Sequence, residues 1–91
     1  MCLQNLINIG DAHRAGDHII SQLSRLRNSI PDQVDQVDHA DSKGFYDRRR
    51  KDLYQEWSTN KFIADTEKQG QVADAFDLTD SKIQEIKIIG L

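Results

Sequence analysis

The sequence has only one cysteine and one proline, and it contains no long apolar run. The single cysteine, Cys2, excludes an internal disulfide and a zinc site built from several cysteines. No apolar stretch approaches the roughly 20 residues that cross a membrane. Residues 1–10 also lack the basic start and the long apolar core of a signal peptide. We therefore expect an intracellular, cytoplasmic protein that does not enter a membrane.

The recognisable motifs of catalysis are also missing. The sequence has no glycine-rich phosphate loop, no His-x-x-x-His pair and no nucleophile with an evident base beside it. Three histidines and many carboxylates allow accidental neighbours but do not indicate a reaction. We expect a protein that is not an enzyme and that uses no cofactor.

The composition is that of a small helical domain. Hydrophobic residues make up 37% and charged residues 30% of 91 residues, with few aromatic residues. This predicts a single all-α domain of four to five short helices, whose small core would gain from dimerisation. The net charge of −3 argues against indiscriminate binding to nucleic acid, although a local basic patch could still contact DNA.

The N-terminal part, residues 1–30, contains the clearest helical pattern. A short apolar segment ends at Gly10, and a helical run follows from Asp11 until Pro31 stops it. Apolar residues recur in this run at steps of three and four: Ala12, Ala15, Ile19, Ile20, Leu23, Leu26 and Ile30. Other helices or a second copy of the chain must cover so long a stripe. Residues 1–30 are therefore predicted to form or support the interface of a homodimer.

Residues 31–42 read as an acidic linker. Residues 32–41 hold four aspartates and His39, with only two valines to bury. A metal site can be drawn here, or between His13 and Asp17 in the first helix, but neither place has the ligand set of a zinc site or the glycine turn of a calcium loop. Solvated surface is the favoured interpretation, and no metal site is predicted.

The remaining part, residues 43–91, is predicted to be helical and carries the only basic cluster. Residues 45–58 form the next predicted helix, with Arg48, Arg49, Arg50 and Lys51 away from its aromatic side. Two interpretations stay open. The cluster could contact DNA phosphates, or it could be a solvated helix face whose arginines pair with the aspartates of the preceding linker.

Residues 69–87 contain the most informative pattern. Thr66 and Gln69 have the spacing of a capping box, which would start a short helix. A break at Asp77-Leu78 would follow, with Leu78 filling the turn from below and Thr79 capping a second short helix. Ile83 and Ile86 would return that second helix to the first. The pattern thus predicts two short helices that cross at a tight turn.

Residues 69–86 resemble the helix-turn-helix of small bacterial, phage and plasmid DNA-binding regulators. The resemblance implies a usually dimeric protein whose second helix enters the major groove of double-stranded DNA. It places four side chains where such families contact bases: Ser81, Lys82, Gln84 and Glu85. Gln84 would pair with adenine, Lys82 with guanine and Glu85 with cytosine.

Two departures from that family pattern are visible. Asp77 occupies the turn position that such families often give to glycine, although aspartate tolerates a left-handed backbone better than most residues. Residues 61–91 hold four lysines against six acids, whereas DNA binding needs cations for the phosphates.

The expected function is therefore sequence-specific binding of double-stranded DNA by a regulatory protein of the phage or mobile-element type. The alternative is a small acidic helical adaptor or inhibitor that binds a protein partner. Burial of Ile83 and Ile86 would favour the adaptor if a continuous acidic face also formed from Asp74, Asp80 and Glu85. A protruding second helix on the same face as residues 48–51 would favour DNA. Helix and strand stay open for residues 86–91.

Overall fold

The protein is described by a computed structural model that gives the backbone of residues 2–90 and the side chains of residues 13–90. Three helices and two short strands follow one another within these described residues. They are α1 (Cys2–Ser29), β1 (Gln33–Asp35), α2 (His39–Ser58), α3 (Thr66–Gln84) and β2 (Lys87–Ile89). The mostly helical architecture agrees with the prediction. The predicted number of four to five short helices does not agree, because the described part of the chain has three longer helices.

Helix α1 continues through Gly10 and ends before Pro31, so the predicted break at Gly10 is wrong. Its apolar stripe turns towards α2 and α3, where Ile19, Leu23 and Leu26 are buried. From residue 13 onward the chain therefore covers the stripe by itself. The apolar side chains of residues 1–12 lie outside the described part, and the homodimer stays a prediction.

Helix α3 is one uninterrupted helix from Thr66 to Gln84, so the predicted turn at Asp77-Leu78 is wrong. The physical reason is the spacing of the buried side chains. Val72, Thr79 and Ile83 follow steps of seven and four, which bring all three to one side of a single helix. Leu78, which the turn would have buried, is 55% exposed.

The cap residues of α3 also differ from the prediction. Thr79 lies inside the helix and donates a hydrogen bond from Oγ1 to the Ala75 carbonyl oxygen at 2.8 Å, so it caps nothing. The N-cap of the helix is Asp65, the residue before Thr66. Its Oδ1 accepts a hydrogen bond from the Lys68 backbone N–H at 2.7 Å. Thr66 is thus the first helical residue and not the cap.

The predicted acidic linker is largely structured. Its middle forms β1, which pairs in parallel with β2 so that Val34 lies beside Ile88, and α2 already begins at His39. Helix and strand were both open for the C-terminal residues, and residues 87–89 form the strand β2. A two-stranded sheet this short needs packing against other elements to persist, and Val34 provides it by joining Ile30, Ile83 and Ile86 in a small apolar cluster.

The main core lies among the three helices. Leu53 and Trp57 of α2 meet Val72 of α3 and the buried stripe of α1. Tyr46 contacts both clusters, and its hydroxyl donates a hydrogen bond to the Ser29 carbonyl oxygen at 3.0 Å. Because α3 packs more closely against α1 than against α2, the outer side of the α2–α3 contact is left partly open.

Candidate nucleic-acid interface

The basic cluster lies in the middle of α2, where four successive cations point in different directions. Arg50 faces α3, where its guanidinium lies 3.6 Å from Asp47 and 3.7 Å from Asp80. Arg49 faces α1 and donates a hydrogen bond to the Gln22 side chain at 3.4 Å. Arg48 is exposed on the solvent side. Lys51 is exposed on the flank towards α3, where it lines a recess with Asp77. The structure therefore divides the predicted cluster into one paired arginine and three exposed cations.

None of the four cations pairs with an aspartate of residues 32–41 in the part of the chain whose side chains are described. The linker carboxylate that does form an ion pair is Asp32, and its partner is Lys82 of α3. The predicted pairing of these arginines with the linker aspartates is wrong, whereas a solvated helix face stays open as an interpretation. Arg48, Arg49 and Lys51 stay without an ion pair among the described residues.

A fourth exposed cation, Arg25, extends the cluster onto α1. His18 lies 3.8 Å from Glu56, and Gln22 contacts Arg49, so this stripe of α1 runs along α2. Arg25 lies three residues after Gln22 and thus one turn further along the same stripe. It also has no ion pair within the described side chains. We refer to Arg25, Arg48, Arg49 and Lys51 as the basic face, which extends around the exposed surface of α2 from its α1 flank at Arg49 to its α3 flank at Lys51.

Sequence reasoning missed Arg25 because only the packing of α1 against α2 brings it near Arg49. A signal was nevertheless present, since Arg25 lies off the apolar stripe of α1 and had to be exposed. One free carboxylate, Asp52, lies a turn from Arg48 on the same exposed side of α2. The four cations of the basic face thus outnumber the nearby carboxylates, which are Asp52, Glu56 beside His18 and Asp77 beside Lys51, although the whole chain is negatively charged.

The four predicted base-contacting residues lie at the end of α3 and have different surroundings. Lys82 donates a hydrogen bond to Asp32 Oδ1 at 2.6 Å. Gln84 accepts one from Lys43 of α2 at 3.4 Å. Ser81 and Glu85 are exposed. Without the turn, these residues end a packed helix instead of opening a protruding one.

The contact between Lys82 and Asp32 also changes the acidity of the carboxyl group. The hydrogen bond from Lys82 and its positive charge lower the pKa of Asp32 below the ordinary value of 3.8, and Lys87 contributes in the same direction. Lys82 is therefore engaged in holding α3 to the segment before β1. It is a poor candidate for contact with guanine.

The outer side of α3 is acidic. Asp74, Asp77 and Glu85 are exposed, and steps of three, four and eight residues place them with Ser81 along one side of the helix. Asp80 lies nearer to α2 and is paired with Arg50. A helix with this outer face would repel DNA phosphates. The structure thus separates the basic face of α1 and α2 from the helix that was predicted to read bases.

An open groove runs between α2 and α3. It consists of two recesses of about 400 and 450 Å³ that share Tyr54 and Phe76. These two rings meet edge to face with centroids 5.6 Å apart. Ala73 and Gly70 line the α3 side, and their small size leaves the groove unfilled.

No group of three or more His, Cys, Asp or Glu residues suited to a metal ion occurs among the described residues. The two side chains considered for a metal in α1 have other partners. His13 Nε2 lies 3.1 Å from Asp65 Oδ2, and Asp17 accepts a hydrogen bond from Lys68 at 2.5 Å. None of the described helices is long and apolar enough to cross a membrane.

The chain was compared with models of protein families, with curated proteins and with solved structures, and no match was found. The candidate interface therefore depends on the geometry and charge of the chain itself.

Proposed function

We propose that the chain binds double-stranded DNA and that the basic face of α1 and α2 contacts the phosphates. The observation that supports this proposal is the absence of ion pairs at Arg25, Arg48, Arg49 and Lys51 among the described residues. Acids outnumber basic residues by 15 to 12 in this chain, so carboxylates are plentiful. Cations that stay unpaired under those conditions are available to an anionic partner.

The proposal is narrower than the expectation from the sequence. Phosphate contacts position a protein on DNA, whereas contacts with base edges specify a sequence. Of the four residues predicted to contact bases, Gln84 is the one bonded to α2, through Lys43. We propose that sequence-specific recognition, in a regulatory role of the phage or mobile-element type, depends on contact of Gln84 with a base edge.

The salt dependence of binding to a labelled duplex of random sequence tests the phosphate contacts. Binding should weaken linearly in log salt, with a slope that falls by about 0.9 for each phosphate contact removed. The test variant replaces Arg48, Arg49 and Lys51 by glutamine. Its matched control replaces Lys68 and Lys82 by glutamine, because these lysines are paired with Asp17 and Asp32. The control should bind DNA with the salt slope of the wild type.

Two outcomes would contradict the proposal. One is an absence of binding even at low salt, and the other is a slope that the triple glutamine variant leaves unchanged. If binding is found, Gln84→Ala tests recognition of bases, because it should relax preference at one base position. Arg49→Ala should instead weaken binding to all sequences alike.

A second candidate function is binding of a protein partner, which the sequence left as the alternative. Ile83 and Ile86 are buried, and Asp74, Asp77 and Glu85 form the acidic outer side of α3. These two observations favour an adaptor or inhibitor. Failure of DNA binding in the salt series would make this the leading proposal.

A further inference from the structure

We propose that the groove between α2 and α3 is a docking site for an amphipathic helix of a protein partner that carries carboxylates on one flank. This proposal does not depend on DNA binding. It rests on the shape of the groove, on the exposure of its aromatic floor and on the charges along its rim.

The floor of the groove is apolar and accessible. Tyr54 is 50% exposed, and its ring packs edge to face on Phe76. Trp57 and Val72 close the bottom of the same recess and belong to the main core, which fixes their positions. A partner side chain entering here would meet a preformed aromatic surface, the type of surface that dominates binding energy at protein interfaces.

The length of the groove suits a short helix. Its α3 wall runs from Thr66 to Asp77, a span of about 16 Å at the rise of an α-helix. This corresponds to about three turns of a partner helix, which would present apolar residues at i, i+3 or i+4, and i+7. Gly70 and Ala73 allow that helix to approach α3 closely, since a Cβ atom at Gly70 would meet nothing within 4 Å.

The rim provides the charge complementarity. Lys51 lines one recess and Lys61 the other, so each end of the α2 side carries a lysine. The Lys61 ammonium lies 5.5 Å from the centre of the Tyr54 ring and 5.2 Å from that of Phe62, which is 82% exposed. Asp77 is the carboxylate of the lining. The partner flank that faces α2 should therefore be acidic.

A displayed library of random 16-residue peptides, selected on the full chain, tests the groove. We expect enriched peptides with apolar residues at helical spacing and with acidic residues on one flank. Ala73→Glu fills the groove and places a negative charge in it. It should weaken binding of these peptides about tenfold or more. Gln71→Glu, its matched control on the exposed α1 side of α3, should change binding less than about twofold.

The contribution of the rim is tested separately. Lys61→Glu should weaken binding of an acidic peptide about fivefold, and a peptide with lysine in place of the opposing glutamate should recover it. Circular dichroism of the Ala73→Glu and Gln71→Glu variants would verify that the helices persist.

Several results would overturn the proposal. These are an absence of enrichment, enriched peptides that bind the Ala73→Glu variant as well as the wild type, and enriched peptides with basic flanks. Self-association of the wild type that Ala73→Glu abolishes would identify a second copy of the chain as the occupant and would also overturn it. None of these results depends on whether the chain binds DNA.

Discussion

Helices α2 and α3 have similar lengths, but their charges have different surroundings. Both lysines in α3 contact carboxylates elsewhere in the chain, Lys68 that of Asp17 and Lys82 that of Asp32. In α2, by contrast, Arg50 is paired, and Arg48, Arg49 and Lys51 have no carboxylate partner among the described residues. The cations of α3 therefore join elements of the fold, whereas most cations of α2 stay available. Charge on a helix indicates a binding surface only when its pairing is known.

The largest expected effect concerns the integrity of α3. Ile83 is buried at 1% exposure, and Ile83→Ala should lower the free energy of unfolding by about 2–5 kcal/mol, because it leaves a cavity in the core. Leu78→Ala should cost less than about 1 kcal/mol, since this side chain is half exposed. Urea unfolding of both variants provides the measurement. An equally large loss of unfolding free energy for Leu78→Ala would mean that Leu78 is buried, as the predicted turn requires. It would contradict a continuous α3.

The next effect concerns the close contact of α3 with α1. A Cβ atom at Gly16 would lie 2.8 Å from Lys68 side-chain atoms and 3.3 Å from the Trp57 ring. Gly16→Leu should therefore destabilise the protein by about 1–3 kcal/mol. The same change at Gly70, where a Cβ atom meets nothing within 4 Å, should stabilise α3 by about 0.5 kcal/mol or more. Thermal unfolding that moves in the same direction for both would contradict this packing.

A smaller effect tests where α3 begins. Asp65→Ala removes the side-chain acceptor for the Lys68 backbone N–H and also the contact with His13 Nε2. It should lower stability by about 0.5–2 kcal/mol. Thr66→Ala should have little effect, because Thr66 is already helical. The two midpoints of urea unfolding decide between the observed cap and the capping box that the sequence predicted.

The smallest effect is a pH dependence. The pKa of Asp32 is lowered in the folded protein by Lys82, so this carboxyl stabilises the fold above its ordinary pKa of 3.8. That contribution is lost as the pH falls through the lower folded pKa. Asp32→Asn should therefore lose less stability than the wild type on acidification below about pH 4.

The exposed Asp35 gives the control for this measurement, because it has no ion pair within the described part of the chain. Asp35→Asn should retain the acid dependence of the wild type. If Asp32→Asn and the wild type lose stability in parallel, the pairing of Lys82 would be too weak to distinguish the cations of α3 from those of α2.

The sequence predicted the helical class and the end of α1 before Pro31, because apolar residues at helical steps and a proline are local signals. It also located the exposed cations of α2. It failed at α3, where Asp77-Leu78 was interpreted as a break. Asp77 has a lower helix propensity than Leu78, but burial of Val72, Thr79 and Ile83 on one side favours the continuous helix.

Local pattern alone determined that the chain is mostly helical, carries its positive charge near residue 50 and has an apolar stripe in α1. The tertiary structure decided which charged side chains form ion pairs. Pairing of Lys82 with Asp32 and of Lys68 with Asp17 joins residues about fifty positions apart, and the groove beside Tyr54 exists only where α2 and α3 meet. Such contacts depend on how helices pack, which the periodicity of a single helix does not specify.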